Sequence, residues 1–98
     1  MDKVHLRIGE NGALETPLVL WCAAWQRANR GKSYIEGMNA MRLEKPELEG
    51  QHDRLTRAFH DRRPDALSDV SERSAVKVAL READRQRADY FAAGPKEG

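Results

Sequence analysis

Residues Arg30-Gly31-Lys32-Ser33 have the types that close a phosphate-binding loop, and three histidines, His5, His52 and His60, stand in a chain that places Asp53 and Asp61 directly after the last two. The first group would bind a nucleotide; the second would hold a metal ion or move a proton. Neither spacing completes. A Walker-type loop needs a glycine, four residues and then Gly-Lys-Ser, so that its backbone N–H groups curl around the phosphates. Gln26 occupies the place of that first glycine. What remains is a weak anion-binding arrangement, Lys32 beside the free N–H groups that begin a helix at Ser33. On a helix, His52 and His60 stand about 80° apart and about 12 Å along the axis, too far to share one ion. His52 reads as a histidine at the edge of a core and His60 as an exposed helix residue.

Nucleophilic and acid–base chemistry fare no better. Cys22, the single cysteine, sits in an apolar run without a basic neighbour in sequence, the opposite of the setting that activates a thiol. Glu47 and Glu49 are two positions apart and do not face each other on a helix. No catalytic group, cofactor site or metal site is therefore expected.

The strongest pattern is electrostatic. Arg73, Lys77, Arg81 and Arg85 recur every fourth residue, which makes a slowly winding basic stripe on a helix. Arg57, Arg62 and Arg63, with Arg54, form a second cluster upstream. Arginine outnumbers lysine 12 to 5, and its planar fork suits phosphate and carboxylate alike. Acidic residues are interleaved, however: Asp84 follows Arg81 by three, Asp89 follows Arg85 by four, and Asp53, Asp61 and Asp65 run through the upstream cluster. Such pairs reduce the field a phosphate would feel.

The elements that position these groups are readable from punctuation. Val4, Leu6 and Ile8 alternate with polar residues as a half-buried strand does. Asn11-Gly12 suits a two-residue hairpin turn, with residues 13–15 pairing back. Thr16 caps a helix that Pro17 opens; it covers residues 17–29, with Leu18, Trp21, Cys22 and Trp25 on one face and an N-terminal half apolar all round, as if it were the structural centre. Gly31 is suited to end that helix in a left-handed conformation. Ser33 and Glu36 form a capping pattern for the next helix, whose expected apolar face is Tyr34, Ile35, Met38 and Met41, ending near residue 44. Pro46 opens a third helix that stops before Pro64, with a stripe of Leu48, His52, Leu55 and Phe59. A connector follows, with Ala66 and Leu67 turned inward. Asp69 or Ser71 then caps a last helix from 70 to about 92, roughly 34 Å long. Its seam is Val76, Ala79, Leu80, Ala83, Tyr90 and Phe91, interrupted by Arg87, and its end is expected to outrun the body.

The fold class is thus mainly α: a short N-terminal strand or hairpin and about four packed helices in one domain over residues 1–93, with 94–98 as a flexible tail. With 98 residues there is room for one core. Net charge is +1, so no global field recruits nucleic acid or membrane, and a partner must meet a local patch. The longest apolar stretch, residues 17–25, is far below the roughly 20 residues of a membrane span, and with one cysteine a soluble cytoplasmic protein is expected. The function expected is that of a small non-enzymatic regulator, adaptor or inhibitor of the kind carried by bacteria and their mobile elements. It would bind another protein through Arg73, Lys77, Arg81 and Arg85, with Arg57, Arg62 and Arg63 second, and a homodimer is compatible with its strand edge and long helix. The alternative is a nucleic-acid-binding regulator using the same stripe.

Overall fold

A computed structural model describes residues 6–93. Val4 and His5, and the tail over 94–98, lie outside the described residues. Two short strands, β1 (Arg7–Ile8) and β2 (Leu14–Glu15), are followed by α1 (Pro17–Ala28), α2 (Tyr34–Glu44), α3 (Pro46–Asp61), a 3-10 turn (Pro64–Ala66) and α4 (Val70–Ala93).

The strands pair antiparallel with Arg7 opposite Glu15 and Ile8 opposite Leu14. The turn is longer than the two residues expected. Gly9 donates to the carbonyl of Ala13 and Gly12 donates to that of Gly9, so three residues, 10–12, form the loop, with Gly12 alone at positive φ (76°). This is a turn followed by a left-handed residue, the usual three-residue hairpin solution, and it needs one glycine rather than an Asn-Gly pair in mirror-image geometry. A second constraint also selects glycine: a Cβ at Gly12 would lie 2.7 Å from the Cα of Ala83. The hairpin tip is therefore seated on α4.

The helix starts follow local chemistry. Thr16 accepts from the Val19 N–H and Pro17 takes the first helical position. Ser33 does the same for α2 through the Glu36 N–H, at 3.2 Å. Lys45 alone separates α2 from α3, and Arg42 bridges that corner to Glu49 at 2.7 Å. Asp69 accepts from the Ser71 N–H at the start of α4. Gly31, at φ 90°, turns the chain after α1.

Two clusters of buried side chains form the interior. Leu55, Ala58, Leu67 and Val76 lie between α3 and α4, with Leu6 and Leu14 of the hairpin, Phe59 and Leu80 packed against them. Leu18, Cys22 and Met41 lie between α1 and α2, bordered by Trp21, Met38 and Leu48 of α3. The helix common to both is α3, which contacts α1, α2, α4 and the 3-10 turn. The expectation that α1 is the centre is therefore corrected: Ala24 of α1 is exposed, and although α1 (Leu18, Cys22) and α3 (Leu55, Ala58) each bury two side chains, it is α3 that packs against both clusters. A thin dimension of 19 Å accommodates two helix layers of about 10 Å each. One layer more would be needed to bury α1 on every side.

The expected face of α2 is also shifted. Gly37 and Met41 are buried, whereas Ile35, about 120° from Met41 around the axis, is 70 % exposed. Gly37 is there because the Trp25 ring lies on its backbone: a Cβ would approach Trp25 Cε3 to 3.0 Å. In the connector Leu67 is buried as expected, but Ala66 is exposed.

Gly12 and Gly31 give a paired prediction. Both have positive φ, but a Cβ at Gly31 would meet nothing within 4 Å. Gly31→Ala should destabilise by about 1 kcal/mol from backbone conformation alone, and Gly12→Ala by about 2–3 kcal/mol because the tip must also leave α4. Denaturant melts of the two variants test this; equal losses would mean that the hairpin tip is not seated.

Candidate functional site

The basic stripe is carried by α4, whose inward side is defined by Glu72, Val76 and Ala79, all buried. Advancing 40° per four residues, the stripe starts beside this inward side and winds onto the solvent face. Arg73 is half-buried and its guanidinium donates to the Leu67 carbonyl at 3.5 Å. Lys77 and Arg81 are exposed, and neither has a carboxylate partner among the described residues. Arg85 is held by Glu82 and, at 3.8 Å, by Asp89. The four cations are thus on one helix but in different states, and two remain available.

The second cluster is dispersed by tertiary pairing. Arg62 ends α3 in a left-handed conformation (φ 56°) and reaches across to Asp84 of α4 with two hydrogen bonds, at 2.6 and 3.1 Å. The expected pairing of Asp84 with Arg81 is therefore corrected: the Arg62 fork meets both carboxylate oxygens, a geometry the i,i+3 neighbour does not supply. The same bonds hold the Asp84 carboxyl below its ordinary value, with Arg87 nearby adding to the effect. Arg63 pairs with Asp65 at 3.5 Å. Arg54 donates to Glu72 at 3.0 Å, where Gln51 donates as well. Glu72 is 5 % exposed, so this arginine satisfies a buried carboxylate and joins α3 to α4. Arg57 is exposed on the wall of a cleft of about 320 Å³ between α3 and the 3-10 turn, a cleft that Asp53 and Asp61 also line.

Lys32 is exposed and stands 4.0 Å from Glu36, while the Ser33 hydroxyl accepts from the Glu36 N–H. The lysine and one free N–H of the α2 start are thus engaged within the first turn. His52 is half-buried, with Nδ1 2.7 Å from the hydroxyl of Thr16, a fully buried side chain. That hydroxyl oxygen also accepts from the Val19 N–H, so Thr16 both caps α1 and joins it to α3. His60 is exposed, its ring edge-on to Phe59. Among the described residues no group of three or more His, Cys, Asp or Glu side chains is arranged to hold a metal ion.

Cys22 is fully buried, and burial pushes its thiol above the ordinary value against the opposing hydrogen bond from Tyr34. No described helix is long and apolar enough to cross a membrane.

Sequence reasoning did not single out two apolar residues beside the stripe, Val70 and Val78, which are 69 % and 43 % exposed on α4. Tyr90 and Phe91, expected where the helix outruns the body, are 63 % and 64 % exposed. Val70 and Val78 are legible in the sequence, since a helical wheel puts both on the outer side with Lys77 and Arg81. No protein-family model, curated protein or solved structure matches the chain in comparisons with known proteins.

The thiol gives a direct check. Alkylation of Cys22 in native buffer should proceed no faster than unfolding exposes it, and should become immediate in denaturant. Rapid labelling of the native chain, followed by mass spectrometry, would contradict a buried thiol with a raised pKa.

Proposed function

We propose that the chain is a small non-enzymatic binding protein, a regulator, adaptor or inhibitor, that docks an acidic protein partner on the outer face of α4. The observation that carries this reading is the pair Lys77 and Arg81, without carboxylate partners among the described residues, set beside exposed Val70 and Val78. Cations at the rim steer an acidic surface and fix its register, and valines beside them supply apolar area to bury. Arg73 and Arg85 border the patch from its two ends. A duplex backbone would be met by a row of available cations; here Arg73, Arg85, Arg62 and Arg63 already have carbonyl or carboxylate partners. The site of action in this reading is the reducing cytoplasm.

A photo-crosslinking residue placed at Val78 in the full chain tests it in cells. A discrete protein adduct is expected, reduced about tenfold or more by Lys77→Glu/Arg81→Glu and absent when the crosslinker replaces exposed Ala24 of α1. Adducts that are nucleic acid, or that persist in the charge-reversed variant, would overturn the reading. So would salt-sensitive duplex DNA binding that the same variant abolishes.

A further inference from the structure

A second face of α4, turned away from Lys77 and Arg81, borders a cleft of about 300 Å³ between the hairpin tip, the end of α3 and the middle of α4. We propose that this cleft binds a small organic anion, with a carboxylate or phosphate group at Arg87 and His60 and an apolar body against Phe59 and Leu80.

Position makes the case for Arg87. It lies four residues after Ala83 and seven after Leu80, on the inward seam of α4, where helical periodicity calls for an apolar residue. Its guanidinium has no hydrogen bond or ion pair among the described residues. Arg87 is exposed, so its charge stays hydrated where it stands, and it lines the cleft. Arg62 also lines it, but its fork is committed to Asp84; Arg87 has only a longer-range attraction to the same carboxylate, which leaves it the more available of the two.

The rest of the lining is of one electrostatic kind. No Asp or Glu contributes to it, whereas Asp53 and Asp61 line the larger cleft beside Arg57. His60 offers an N–H in either tautomer and Asn11 an amide, so donors from the α3 end and the hairpin share the lining with Arg87. Phe59 and Leu80 supply an apolar floor. A cleft near 300 Å³ is at the lower end of the range for small-ligand sites, and its lining is more polar than apolar, which suits a charged head group on a small apolar body.

The walls are held in advance of any ligand. Gly12 seats the hairpin on Ala83, with no room for a Cβ between them. Arg62 ties the end of α3 to α4 through both oxygens of Asp84. A site whose three walls are already fixed loses little freedom on binding.

Phenyl phosphate and phenylacetate are the probes, with phenol and inorganic phosphate as controls, titrated into the 98-residue chain by two-dimensional NMR. Saturable shifts at the amides of Gly12, His60 and Ala83 are expected for the two aromatic anions. Arg87→Gln should weaken both about tenfold, the loss of one charge-assisted hydrogen bond, while its spectrum elsewhere stays native. Phenol should not bind, and inorganic phosphate should bind more weakly than phenyl phosphate. Binding of one aromatic anion alone would support the site and identify which oxyanion it takes. The proposal is overturned by absence of saturable shifts at millimolar probe, by shifts centred on Lys77 and Arg81, or by unchanged affinity in Arg87→Gln. Inorganic phosphate binding as tightly as phenyl phosphate would overturn the apolar half of the site. Because Lys77 and Arg81 take no part, Lys77→Glu/Arg81→Glu should leave this binding intact, and failure here says nothing against the outer-face reading.

Discussion

Everything in this small domain depends on α3 being shared, with α1 and α2 packed on it at one cluster and α4 at the other. Its Leu55 and Ala58 close one cluster against Leu67 and Val76, and its Leu48 borders the other, around Leu18, Cys22 and Met41. Each cluster is only a few side chains across. Full burial of an aliphatic side chain contributes about 1.5–3 kcal/mol, while ordering each residue costs about as much, so neither cluster is large enough to hold a helical layer alone. Sharing α3 makes them one core. The part-buried contact between Thr16 and His52 spans the same junction, tying the start of α1 to the middle of α3 at 2.7 Å. The Glu72 carboxylate, reached by Gln51 and Arg54, does the equivalent for α4.

The presentation of α4 follows from this. At 24 residues it is about 36 Å long, and the cluster it shares with α3 and Leu67 takes Val76, with Leu80 beside it, all from its first half. Its inward seam continues past the body, which is why Tyr90 lies on the side of Val76 and Ala83 and is still mostly exposed. The radius of gyration of 15.6 Å exceeds the roughly 12.6 Å of a compact domain of this length, in keeping with a flat, elongated outline. A long helix braced over part of its length exposes an outer face, and here that face combines cations with valines. The hairpin seated at Ala83 braces the same helix from another side and walls the cleft at Arg87.

Much of the architecture was legible because its signals are local. Thr16-Pro17, Ser33 with Glu36, and Pro46 specify helix starts through backbone groups within one turn, and those elements begin where these residues put them; Gly31 is left-handed as expected, but α1 ends earlier, at Ala28 with Asn29 as its cap. Packing was less legible. Ile35 looked inward because apolar residues cluster near it in sequence, but Trp25 needs the bare backbone of Gly37, and that contact sets which side of α2 faces α1. The candidate site was legible only as a pattern of spacing. Which cations are engaged depends on pairs such as Arg62 with Asp84 and Arg54 with Glu72, separated by 22 and 18 residues, and no helical wheel contains them. The cleft at Arg87 was visible only as an interruption in a seam.

The shared wall is also the most direct point at which to test this account, by native-state hydrogen exchange across a denaturant series. If α3 couples the two clusters, the amides around Leu18 in α1, Leu55 in α3 and Val76 in α4 should exchange through one common global opening, with α4 beyond Gln86 opening earlier by local fraying. Separate openings, with α1 and α2 exchanging well before α3 and α4, would show two independent halves and contradict the claim that one shared helix holds the binding face in place.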